Sequence, residues 1–80
     1  MDPEKLIHMA NRIADFFQAE PDRQAALEGI AGHLKRFWDP RMRREILRLV
    51  DEDRAQGLSP LVADALHAHR KVIAPGEPDA

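Results

Sequence analysis

Eighty residues, 44% of them hydrophobic and with a net charge of −2, make one domain that buries only about 60% of its unfolded surface, so its own core leaves it marginally stable. The chain has no cysteine, which excludes a disulfide framework, a thiolate nucleophile and thiolate-held zinc or iron–sulfur sites, and agrees with a cytoplasmic protein. No apolar run approaches the roughly 18 residues of a membrane span, and Asp2 and Glu4 stand where a secretory leader places basic residues, so neither a membrane nor a secreted form is expected.

The first helix is predicted from Pro3, capped by Asp2, to Ala19, with Leu6, Met9, Ala10, Ile13, Phe16 and Phe17 on one broad apolar face and His8, Arg12 and Asp15 pointing away. A second starts near Pro21 or Asp22 and ends around Trp38, burying Leu27, Ile30, Ala31, Leu34 and Phe37, with Trp38 at the edge. Ala25, Gly29 and Gly32 lie opposite that face. Mid-helix glycines are unfavourable by about 1 kcal/mol each, so they are either tolerated at the surface or leave room for another element to cross.

The third helix follows Asp39-Pro40, an N-cap and a proline at the first helical position, and is predicted to run to about Gln56, with Gly57 in the left-handed conformation beyond it. Met42, Ile46, Leu49 and Val50 form its core stripe, and Arg41, Arg44 and Arg48 another. Three arginines, Arg41, Arg43 and Arg44, fall early in this helix, where the partial positive charge of a helix N-terminus opposes each exposed cation by about 0.3–1 kcal/mol. Ser59-Pro60 repeats the cap signal and starts a fourth helix in which Leu61, Val62, Ala65, Leu66, Val72 and Ile73 share a side. The expected fold is therefore all-α, a small bundle of four short helices over residues 1–73, with a disordered tail over 74–80 marked by Pro75, Gly76 and Pro78.

Six of the twelve cations lie between Lys35 and Arg48, with only Asp39 and Glu45 among them. A basic patch on an acidic body suits one acidic protein surface better than nucleic acid, whose partners are basic overall. Leu47, placed off the core stripe between Arg43 and Arg54, and Trp38 complete a set that resembles a hot spot, where aromatic and arginine anchors carry most of the binding energy. Trp38, Arg41, Arg43, Arg44, Leu47 and Arg48 are the candidate partner-binding residues.

Phe37-Trp38-Asp39-Pro40-Arg41-Met42-Arg43-Arg44, with Met9-Ala10-Asn11-Arg12-Ile13 and Phe16-Phe17 upstream, resembles the delta subunit of soluble NAD-dependent formate dehydrogenases. The likeness runs from about Glu4 to Val72. It implies a non-catalytic accessory subunit of a cytoplasmic molybdenum or tungsten enzyme, docking on the large catalytic subunit and supporting its assembly, cofactor loading or activity. The molybdenum cofactor would then sit in another subunit, with no cofactor or metal held by this chain.

The residues themselves show no catalytic constellation. His67 and His69 point in different directions on a helix; His33 and His69 read as core-edge residues and His8 as solvated. Asp51, Glu52 and Asp53 splay around the helix axis rather than converge on a cation. There is no phosphate loop and no His-Glu-x-x-His. Two other classes stay open: a small nucleic-acid-binding module using the third helix, and a helical scaffold that self-associates through the glycine face or Trp38.

Overall fold

The computed structural model describes residues 1–76 and is all-helical among them. The Asp2, Asp39 and Ser59 cap signals are realised at their expected residues, and the second helix, expected from near Pro21 or Asp22, is capped by Asp22. Asp2 starts α1 (Pro3–Phe17), accepting the Glu4 N–H at 3.0 Å, and Asp22 starts α2 (Arg23–Phe37), accepting that of Gln24 at 3.0 Å. Asp39 accepts the Met42 N–H at 3.0 Å to start α3 (Pro40–Asp51), and Ser59 accepts that of Leu61 at 3.2 Å to start α4 (Pro60–Ala68). A short α5 (Arg70–Ile73) follows. The fourth helix is thus two, because His69, at φ −120° and ψ 34°, breaks the ladder. The break lets Ile73 turn into the core while Val72 stays exposed.

The third helix is also shorter than its sequence suggests. It stops at Asp51, and Asp53 takes the left-handed conformation at φ 56°. Its N–H then donates to Val50 O (3.1 Å) and that of Arg54 to Leu49 O (2.8 Å), the paired bonds of a Schellman ending. Gly57 is left-handed as expected, at φ 89°, but it turns the loop ahead of α4 rather than ending α3.

Packing is centred on α2, which lies against α1, α4 and α5, while α1 also meets α3 and α4. Ile30, Leu34, Ile46, Leu49, Val62, Leu66 and Ile73 are fully buried. Asn11 holds the loop after α3 onto α1, its amide donating to Gly57 O at 2.9 Å and accepting the Ser59 N–H at 2.7 Å. Among the described residues the expected tail begins with Ala74 half-buried against the core, its N–H bonded to Arg70 O at 2.8 Å. The remainder of that expectation, residues 77–80, lies outside the described residues.

Arg70 ties α5 to the end of α3, donating to both carboxylate oxygens of Asp51 at 2.9 and 2.5 Å. These bonds hold the Asp51 carboxyl below its ordinary 3.8, against a smaller opposing effect of desolvation. A depressed carboxylate contributes stability that is complete above its unfolded-state pKa and is lost as pH falls through the folded value. Urea unfolding midpoints should therefore stay level down to about pH 5 and decline below it. Asp51→Asn should be less stable at neutral pH and show a shallower acid decline.

Candidate docking surfaces

The string from Phe37 to Arg44 forms a corner between α2 and α3. Trp38, the residue that ends α2, leaves the helix with extended backbone (φ −87°, ψ 137°). It therefore no longer follows the 100° step of the helix, and its ring enters the core, leaving it only 6% exposed. Phe37, still helical, takes the surface position instead and is 66% exposed. The expected roles of these two aromatics are exchanged.

Arg43 is 7% exposed, not part of an outward basic face. Its Nε donates to Trp38 O at 3.2 Å and its Nη1 to Ile73 O at 2.8 Å. One guanidinium thus caps carbonyls at the C-terminal ends of α2 and α5, where helix dipoles favour a cation. Leu47 is 4% exposed and joins the core, correcting its placement on the surface. The buried side of α3 is turned toward Arg43 and Leu47, on the flank tied to α5 through Ile73 and Arg70, leaving Met42 and Val50 half-buried.

Of the six candidate residues, Arg41, Arg44 and Arg48 remain on the surface. Arg48 is clamped by Glu45, at 3.1 and 2.5 Å, and by Glu52 at 2.9 Å. These hydrogen bonds raise the guanidinium's pKa, and the one to Glu45 holds that carboxyl below its ordinary value. Its charge is balanced within the helix. Arg41 and Arg44 have no ion pair or side-chain hydrogen bond among the described residues. They stand in a helix whose first turn contains no acidic residue. The acidic run has separate tasks: Asp51 binds Arg70, Glu52 binds Arg48, and Asp53 makes the left-handed turn.

A second surface was not foreseen. The buried residues of α1 are Leu6, Ile7, Ala10 and Ala14, a stripe rotated by roughly 70° from the expected face at 100° per residue. Met9 and Phe16 are consequently exposed, Phe16 to 77%, and Ile13 and Phe17 half-buried. Phe16 meets Phe17 edge-on with ring centroids 5.0 Å apart, and His33 lies 4.7 Å from Phe37. The signal was present in the sequence: Phe16 shares its stripe with Lys5, Met9 and Arg12, and two cations on one stripe mark it as a surface.

The glycine face divides. A methyl at Gly29 would run into the Phe17 ring, whereas one at Gly32 would meet nothing within 4 Å. Gly32→Ala should therefore stabilise the fold by about 1 kcal/mol through helix propensity. Gly29→Ala should gain less than Gly32→Ala in thermal midpoint, because displacing the half-buried phenyl ring of Phe17 offsets part of that gain at about 25 cal/mol per Å² exposed.

No helix among the described residues is long and apolar enough to cross a membrane. The chain matches the family described as NADH-dependent formate dehydrogenase delta subunit, FdsD, over residues 5–66. No curated protein and no solved structure matches it.

Proposed function

Since this chain belongs to the family of NADH-dependent formate dehydrogenase delta subunits, we propose that it is a non-catalytic accessory subunit that docks on the large catalytic subunit through the exposed end of α3. In this reading it acts in the cytoplasm and supports assembly, cofactor loading or activity of its partner. The observation that supports docking is the pair Arg41 and Arg44: two exposed cations without an acidic partner among the described residues, at a helix end that electrostatically prefers anions. An acidic patch on another subunit would neutralise both cations and relieve the helix-dipole penalty that Arg41 meets in the first turn.

The test compares formate dehydrogenase purified with and without this chain. Tagged chain should retain the large subunit, and enzyme made in its absence should show reduced molybdenum or tungsten content, subunit recovery or formate-dependent NADH formation. Fully loaded, fully active enzyme lacking the chain, with no large subunit retained by the tag, would refute the proposal.

A further inference from the structure

Between α1 and α2 lies an open groove of about 420 Å³ lined by Arg12, Ile13, Phe16, Phe17 and His33. The ring contacts continue it along α2 to Phe37. Phe16 on α1 and Phe37 on α2 are both strongly exposed, at 77% and 66%. Contiguous apolar surface of this kind on a small protein marks an interaction site rather than scattered exposure.

Arg12 is the cation lining the groove, and two further cations, Lys5 and Arg36, stand on the same two helices. Lys5 and Arg12 share the α1 stripe with Phe16, and Arg36 precedes Phe37 on α2. All three are exposed and form no ion pair among the described residues. Of the acids of these two helices, Glu4 and Asp15 fall outside the α1 stripe, and Glu28 stands on the i, i+4 row of Gly32 and Arg36. The open space above Gly32 also admits close approach of another backbone.

We propose that this groove seats an acidic amphipathic helix of a partner protein, in a contact separate from the arginine pair on α3. The α1 stripe from Lys5 to Phe16 is about 16 Å long at 1.5 Å per residue, room for some three turns of a docked helix, whose apolar stripe fills the floor while its acids meet the cations. A second copy of this chain fits less well, because it would bring Lys5, Arg12 and Arg36 against the same cations.

The probe is a synthetic amphipathic helix with a leucine stripe flanked by glutamates, compared with its lysine-flanked counterpart, each titrated against the full chain by NMR. The glutamate peptide should bind at least tenfold more tightly and shift the resonances of Phe16, His33 and Phe37. Arg12→Glu with Arg36→Glu should reverse the preference. Phe16→Ser with Phe37→Ser, both at exposed positions, should abolish binding with the circular dichroism spectrum unchanged. Equal affinity for the two peptides would overturn the proposal. So would dimerisation that protects Phe16 and Phe37, or binding to phosphatidylglycerol vesicles with no response to either peptide. In the assembled enzyme, a photo-crosslinker at Phe16 should attach to an acid-flanked helix of another subunit, and attachment only to a second copy of this chain would refute it.

Discussion

Arg43→Met is expected to remove about 2–4 kcal/mol of stability, since each hydrogen bond to a charged group contributes about 1.5–3 kcal/mol and its loss leaves a buried acceptor behind. For a domain of this size that is a large share of the total, which runs at about 0.05–0.15 kcal/mol per residue. Exchanging a buried charge for a hydrophobic side chain is often neutral when both partners are replaced. Here the acceptors are the backbone carbonyls of Trp38 and Ile73, which no substitution removes. Their hydration requires α5 to detach. The urea midpoint should fall with little change in slope, and amide exchange should accelerate most at Val72, Ile73 and Ala74. Arg43→Lys should recover about half of the loss, because an ammonium is a point charge and cannot span two separated carbonyls as the guanidinium does. An unchanged midpoint in Arg43→Met would show that α5 is held by its apolar contacts alone.

This double cap explains what the string around Trp38 does within the chain. Asp39 starts α3, Pro40 occupies its first turn, Trp38 fills the core and Arg43 folds back to secure the corner. The start of every long helix was legible because capping is local: an Asp or Ser oxygen meets an N–H two or three residues ahead. The break at His69 was not, because nothing within a few residues forces it; it is favoured by the burial of Ile73 and the reach of Arg43 and Arg70 from α5 or toward it. The same limit accounts for Trp38 and Phe37. Helical periodicity assigns faces only to residues that remain helical, and Trp38 has already left the helix. Leu47 and Met42 were misjudged by less than a quarter turn each, since the width of the core stripe on α3 depends on how α5 packs. Among the candidate docking residues, Arg41, Arg44 and Arg48 lie exposed where the 100° step places them, but whether a given arginine faces outward, or caps a carbonyl as Arg43 does, is decided thirty residues away.

Charge reversal at Arg41 and Arg44 separates docking from folding. Removing an arginine anchor from an interface raises the free energy of binding by about 2 kcal/mol or more. At about 1.4 kcal/mol per tenfold, Arg41→Glu with Arg44→Glu should weaken retention of the large subunit at least a hundredfold. The isolated chain should respond in the opposite sense. A glutamate at Arg41 lies in the first turn of α3, where a negative charge complements the helix dipole by about 0.3–1 kcal/mol, so the thermal midpoint should stay level or rise. Arg48→Glu should show the reverse pattern, since it leaves Glu45 and Glu52 without their shared partner and places three carboxylates on adjacent turns. Its midpoint should fall while the arginine pair, and with it most of the affinity, is kept. Calorimetric binding of the two variants to the purified large subunit, beside their melting curves, distinguishes a docking face from a solvated one. Loss of affinity with unchanged or improved stability in the Arg41 and Arg44 variant identifies α3 as the contact. Affinity equal to that of the wild-type chain would leave the stripe as surface charge and shift the docking role to the groove between α1 and α2.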